Sequence, residues 1–373
     1  MIPPADLSAL PGPVQRIVAP GGPAPARLGV AKGVLPGLRP EAIVLVVAVL
    51  ASDADEALAS TAKKTLETLA PPILAGALAA ELQPVAIDAL ARAFATRVDV
   101  LERLVPSPSI HEDTLTWLAA AGSEAVTELV ATNETRLLAH PSIIEKLYLN
   151  KNTRMSTADR LIDLAARSGI ELHGIGGFRE AVAALDEAAL VEAGVSTFED
   201  QVFATTGDLA DELDVGRDEH THEHDESGAE VPTKKLLPIH AQLKELSISG
   251  RIRRAILGTA AERQILVRDA NKLVAAAAVR SPQIQEPEIV RISSSRNTNE
   301  EAMRIIGANG EWLKNHQIKY NLVSNPKTPF AVASRLVLHM REHELKQLER
   351  SRDVPAPVRQ AATQQLKRKG KKD

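Results

Sequence analysis

The 373-residue chain contains no cysteine, which excludes disulfides, cysteine-ligated zinc, iron–sulfur clusters and thiol catalysis. Aromatic residues make up only 2% of it: two Trp, two Tyr and five Phe. A core with so few rings must be filled by Leu, Ile, Val and Ala. That suits close helix packing and suits a β-sandwich badly, because strands favour aromatic and β-branched residues. The most apolar run, Ala42 to Ala51, is ten residues long, against roughly 20 for a membrane-spanning helix. The first residues, Met1-Ile-Pro-Pro-Ala-Asp6, lack the basic start of a secretory signal. A cytoplasmic location is the expectation.

What is present is ordinary in amount and uneven in placement. Hydrophobic residues make up 44% and charged residues 25%, as in a soluble folded protein. The net charge of −4 is the sum of −18 over residues 1–233 and +14 over residues 234–373. Such a division implies different partners for the two halves, or attraction between them.

Residues 1–36 hold eight prolines and little helical periodicity, which reads as a Pro/Gly-rich disordered leader. A first helical block is expected over 37–198, where Ala158, Leu161, Ile162 and Ala165 repeat at i, i+3, i+4 and i+7. Ser156 or Thr157 is placed to cap that helix. Residues 199–230 carry twelve acids and one base, Arg217, so 199–233 reads as an acidic linker, disordered at least from 214. A second, basic block is expected over 234–366, with Ile248, Ile252, Ala255 and Ile256 on one helix face and Gly258 after its end. A long helix is expected from about Thr328 to Leu348, and 367–373 forms a basic tail.

Four segments rhyme: Leu104-Val-Pro-Ser-Pro-Ser-Ile110, Leu147-Tyr-Leu-Asn-Lys-Asn-Thr153, Ala278-Val-Arg-Ser-Pro-Gln-Ile284 and Leu322-Val-Ser-Asn-Pro-Lys-Thr328. The first two start 43 residues apart and the last two 44 apart. Such spacing is the mark of a stacked helical repeat. The proline in Ser281-Pro282 and Asn325-Pro326 drives the preceding residue out of the helical region. The Ser or Asn then accepts hydrogen bonds from the following free N–H groups. Each rhyme is therefore a helix stop followed by a helix start. Ser295-Arg-Asn-Thr298 and Ser351-Arg-Asp-Val354 rhyme at an offset of 56, and Glu134-Thr-Arg-Leu137 and Asn152-Thr-Arg-Met155 at 18, implying shorter half-units.

The stretch Ala51–Leu66, an acidic turn and then a helix with small and apolar residues on one face, resembles a HEAT repeat. Residues 267–282 and 318–329 are similar to the leucine-rich repeat variant, whose units read as an acidic turn, a helix and an Asn-Pro-x-Thr-Pro turn. The resemblance covers about half of the chain. It implies an all-α protein built as an α-solenoid of HEAT/armadillo-like or leucine-rich-repeat-variant-like character, in two helical blocks. Such solenoids are binding scaffolds, and the resemblance implies no reaction.

Several patterns offer chemistry. His339-Met-Arg-Glu342-His343 fits H-x-x-E-H, but a zinc-protease site needs a further carboxylate that the remaining residues do not supply; it reads as a polar helix surface. His220, His222 and His224 lie within acidic sequence, either as a weak metal-holding tract or as a pH-sensitive spacer. Gly174-Ile-Gly-Gly177 has neither a preceding strand nor a following Lys-Ser/Thr and reads as a loop between helices. Arg251, Arg253, Arg254, Lys367, Arg368, Lys369, Lys371 and Lys372 are the candidate anion- or partner-binding residues. The expectation is a non-enzymatic protein-interaction scaffold with no cofactor, no metal and no transmembrane segment. The alternative is nucleic-acid or anionic-surface binding through the basic half.

Overall fold

A computed structural model of the chain describes residues 2–185, 198–215, 222–224, 230–232 and 237–369, whose regular structure is helical apart from one short hairpin. They divide into two compact units, Met1–Leu161 and Ile162–Asp373. The division falls inside a helix, not in the acidic segment expected to separate the blocks.

The first unit opens with α1 (Gly12–Val18), α2 (Ala24–Ala31), α3 (Pro40–Leu50) and α4 (Glu56–Glu67). It continues through α5 (Pro71–Leu78), α6 (Pro84–Ala93), α7 (Val98–Leu104) and α8 (Glu112–Ala121). After α9 (Glu124–Val130), α10 (Glu134–Ala139) and α11 (Pro141–Leu149), it ends within α12 (Met155–Arg167). Helix α3 is central: Val44, Val46, Val47 and Leu50 are fully buried, and α2, α4, α5 and α6 pack around it. Asp55 caps α4 by accepting from the Ala57 and Leu58 amides, and Leu58, Ala59, Ala62 and Leu66 form its buried face.

The expected disordered leader is instead α1 and α2, with Leu10, Val18, Val30 and Ala31 buried. Four of its eight prolines sit at helix starts: Pro11 and Pro23 at the N-caps, Pro13 and Pro25 in the first turns. A proline there forfeits no hydrogen bond and presets the helical φ. Ser156 and Thr157 lie inside α12 and do not precede it; the Thr157 hydroxyl donates to Glu128 at 2.9 Å.

The second unit contains α13 (Phe178–Leu185), α14 (Phe198–Val215) and a short antiparallel hairpin, β1 (His222–His224) with β2 (Glu230–Pro232), Glu223 opposite Val231. Then follow α15 (Leu237–Glu245), α16 (Ile248–Leu257), α17 (Ala260–Leu266), α18 (Lys272–Arg280) and α19 (Glu286–Ser294). After α20 (Glu300–Ala308) and a 3₁₀ turn at Trp312–Lys314 come α21 (His316–Ser324), α22 (Phe330–Val337), α23 (Glu342–Arg350) and α24 (Ala356–Lys369). Alternate helices stack: α16, α18, α20, α22 and α24 form one row, and α17, α19 and α21 another.

Residues 199–215 of the expected acidic linker therefore belong to α14, which packs on α15, α16 and α17. Val202, Phe203, Thr206 and Ala210 are buried on one side of it while Asp208 is exposed, so acidity and amphipathic packing coexist. Of the rest of that linker, residues 216–221, 225–229 and 233 lie outside the described residues. The single helix expected from 328 to 348 breaks after Val337, where the His339 and Met340 amides bond to carbonyls three residues back. The Thr328-Pro329 start is also displaced, with Pro329 at the N-cap of α22 and the Thr328 hydroxyl buried without a partner.

Three of the four rhyming segments share a turn geometry with neighbouring turns of the chain; the first, Leu104–Ile110, does not, since α7 ends at Val105 with helical backbone (φ −61°, ψ −39°). Asn150, Ser281, Ser295, Asn309, Asn325 and Ser351 each form the C-cap of a helix with extended backbone, ψ lying between 109° and 133°. Only two of the six precede proline, so proline is not what ends the helix. The Asn150 carboxamide oxygen accepts from the Asn152 amide at 2.9 Å, and Asn325 accepts from Lys327 at 2.9 Å. Their amide nitrogens reach back three helices from Asn150 and two from Asn325. Asn150 donates to the carbonyls of Ala119 and Gly122 at 2.8 and 3.0 Å, and Asn325 to those of Ser293 and Ser295 at 2.9 and 2.7 Å. Those acceptors are the orphan C-terminal carbonyls of α8 and α19. One side chain thus closes its own turn and caps its neighbour.

Turn positions 281, 295, 309 and 325 are 14, 14 and 16 residues apart. Each of these intervals holds one α-helix with its turn. An offset of 44 spans three such elements and an offset of 56 spans four.

Candidate functional site

Helix α16 carries three of the candidate cations, and the structure sends them to two destinations. Ser247 starts the helix by accepting from the Gly250 amide at 3.0 Å. Arg253 and Arg254 are 0% and 1% exposed, so they form no surface patch. Both guanidinium groups lie against the Phe203 ring of α14, 4.9 and 4.8 Å from its centroid, a cation–π arrangement strengthened by exclusion of water. Gly207, one turn further along α14, leaves room: a Cβ there would stand 2.8 Å from an Arg254 nitrogen.

Arg254 donates through Nε to Glu262 at 2.6 Å, and Glu262 is fully buried. The same carboxylate accepts from the Thr259 amide at 2.8 Å, closing a capping box on α17. Gly258 serves this arrangement. It follows the end of α16 as expected from sequence, with φ of −71°, and a Cβ there would collide with the Glu262 carboxylate. Arg263 forms a second pair, its Nε and one Nη donating to the two oxygens of Glu288 at 2.9 Å each. A buried charge is tolerated only when so matched. Arg253 and Arg254 therefore hold the interior together and, unlike the expected surface cations, are not presented to an outside anion.

Arg251 lies apart from them. Its side chain is 22% exposed and donates to Asp269 at 2.6 Å. It lines a cavity of about 330 Å³ together with His240, Lys244, Arg268, Asp269 and Asn297. Burial, and then the Lys244 ammonium, hold the His240 imidazole below its ordinary pKa. No local sequence signal marks this cavity, because it gathers residues from α15, α16, α17 and the turns after α17 and α19.

Lys367, Arg368 and Lys369 are the last turn of α24 and not part of a separate tail. Lys367 and Arg368 are exposed, whereas Lys369 donates to the Met340 carbonyl at 2.7 Å. Lys371 and Lys372 lie outside the described residues. The six described candidates therefore do not converge on one surface.

His339 lies between α22 and α23 and His343 inside α23, so the H-x-x-E-H residues do not share one helix; Glu342 pairs with Lys346. His222 and His224 fall on β1, and His220 lies outside the described residues. Among the described residues no group of three or more His, Asp or Glu is placed to hold a metal ion. Gly176 and Gly177 serve packing: a Cβ on Gly176 would strike the Arg280 carbonyl, and one on Gly177 would stand 2.9 Å from Ile256. No described helix is long and apolar enough to cross a membrane. Neither a family model, nor a curated protein, nor a solved structure matches the chain.

Proposed function

We propose that the chain is a non-enzymatic protein-binding scaffold, an α-solenoid of HEAT-like character that presents helix faces and turns to a partner. The observation that carries this reading is the bracing of helices to near neighbours. Side chains of Arg136, Asn150, Asn299 and Asn325 each donate to backbone carbonyls about 30 residues back, within their own unit. Packing that propagates from neighbour to neighbour is the hallmark of a repeat array, and such arrays offer extended binding surfaces. The burial of Arg253 and Arg254 takes weight from the electrostatic alternative, although exposed Lys367 and Arg368 favour a weak contact with nucleic acid or an anionic surface.

The two readings separate when the immobilised full chain is offered soluble proteins, duplex DNA and anionic vesicles over a salt series. A discrete protein partner retained in stoichiometric amount at high salt supports the scaffold. Retention of DNA or vesicles alone, falling steeply with salt and abolished by truncation after Leu366, refutes it.

A further inference from the structure

Residues 2–7 form no helix and line one side of an open cleft of about 800 Å³ in the first unit. Across it stand Val49 near the end of α3, Leu66 on α4, and Val85, Ala89 and Ala93 on α6. The three α6 residues recur at i, i+4 and i+8 and so make one apolar stripe. Leu66 is buried, but Val49, Val85, Ala89 and Ala93 are only half-buried. Apolar surface therefore stays partly uncovered with residues 2–7 in place. Charge does not set this cleft apart: Lys63 and Arg92 line it beside Glu67 and Asp88, and Arg92 pairs with Asp88 at 2.9 Å.

The segment is held by its main chain. The Asp6 amide donates to Gln83 Oε1 at 2.8 Å, and Gln83 Nε2 donates to the Asp6 carbonyl at 2.8 Å. The carboxamide thus engages both polar backbone groups of one residue, as an adjacent strand engages its partner. It does not read the side chain, for the Asp6 carboxylate accepts from the Ser8 amide at 2.9 Å. Gln83 sits at the N-cap of α6 and makes no cap bond with its side chain, which leaves the carboxamide available. Among the described residues, this pair supplies the only hydrogen bonds from residues 2–7 to the helices. The segment is also small for its place, because Ala5 lies beside the gripped residue and fills little of the cleft. Unfilled space forfeits dispersion contacts that a larger side chain would make.

We propose that this cleft is the docking site for an extended segment of a partner protein, gripped through its backbone by Gln83. That segment carries an apolar side chain bulkier than Ala5 beside the gripped residue, and residues 2–7 occupy the site until it arrives. The inference rests on the scaffold reading for the existence of a partner, and it names the surface and the chemistry that the partner meets. Main-chain hydrogen bonds supply affinity in such recognition, and the apolar floor supplies selectivity. Residues 2–7 compete from within the same chain at high effective concentration, so the incoming segment must gain from the unfilled space.

Calorimetric titration tests this with a blocked peptide of residues 2–10 and its Ala5→Leu form. The recipient is the full chain carrying Ala5→Asp and Leu7→Asp, which frees the cleft and leaves Gln83 intact. Both peptides are expected to bind it saturably, Ala5→Leu the more tightly, and the parent chain at least about tenfold more weakly. Adding Gln83→Ala to the recipient should weaken binding about tenfold. Absence of saturable binding, equal binding to the parent chain, or affinity unchanged by Gln83→Ala would overturn the inference. If the doubly substituted chain does not fold, amide exchange of the parent chain decides. Excess Ala5→Leu peptide should speed exchange at Asp6 and leave α4 and α6 protected; an unchanged Asp6 rate would overturn the inference. Dimerisation of the parent chain that Gln83→Ala abolishes would give the cleft to a second copy and overturn the assignment to a different protein. None of these failures touches the scaffold reading, which stands or falls on partner retention by the full chain.

Discussion

Around Asn150 the interior of residues 1–161 is apolar except for hydroxyl groups and the carboxamide itself. The turn at Asn325 is built the same way, yet its unit also encloses Glu180, Arg253, Arg254, Glu262, Arg263 and Glu344. Every charged residue that is buried among the described residues falls in this second unit. The shared turn is thus sufficient to stack helices, and buried charge is not needed for it. Arg253, Arg254 and Glu262 act where α14 covers α16 and α17. Two arginines against one phenylalanine fix where that helix sits, a use of buried polarity for specificity more than for net stability.

The two tryptophans fall one in each unit, Trp117 and Trp312, so urea unfolding of single-tryptophan variants reads the units separately. The largest effect is expected from Glu262→Gln, which strands the Arg254 charge in the interior. It should cost about 3–5 kcal/mol in the Trp312 transition and leave the Trp117 transition in place. Replacing both partners, Arg254→Met with Glu262→Leu, should restore most of the loss, since an apolar pair of similar volume avoids the desolvation penalty. Phe203→Ala comes next, at about 3 kcal/mol from lost burial and the lost ring beneath both arginines. A shift in the Trp117 transition with either variant would break the contrast between the units.

Asn150→Ala and Asn325→Ala sharpen the likeness instead of the difference. Each removes donors from two carbonyls at a buried helix end, for about 1–3 kcal/mol. The first should lower only the Trp117 transition and the second only that of Trp312. The smallest effect concerns pH. Burial pushes the Glu344 carboxyl up, but the Arg341 amide and the His316 ring, each at 2.7 Å, outweigh it and hold the group below its usual range. A folded pKa below the unfolded value of about 4.3 gives stability that is present above that value and lost as pH falls through the folded one. Glu344→Gln should therefore lower Tm at neutral pH and less so in acid. An equal loss at both would contradict the assignment.

Local features were legible in the sequence and remote ones were not. The buried faces of Ala158, Leu161, Ile162 and Ala165, and of Ile252, Ala255 and Ile256, follow from helical periodicity. The bond from Asn325 to the amide two residues on follows from residue type. Its two bonds back to Ser293 and Ser295 do not, because they depend on how far the chain travels before returning. The same holds for Arg253 and Arg254, which read as surface cations until Phe203, some 50 residues earlier, is set against them. The leader was misleading for the opposite reason: Pro13 and Pro25 start helices, and composition alone does not distinguish a first-turn proline from a loop proline.

The scaffold reading rests on neighbour-to-neighbour packing, and amide hydrogen exchange of the full chain with Asn325→Ala addresses that packing most directly. Faster exchange confined to α19 through α22, with α3 through α6 as protected as in the parent chain, is the result expected of a repeat array. Deprotection spread evenly over the whole chain, or none beyond the turn itself, would contradict it.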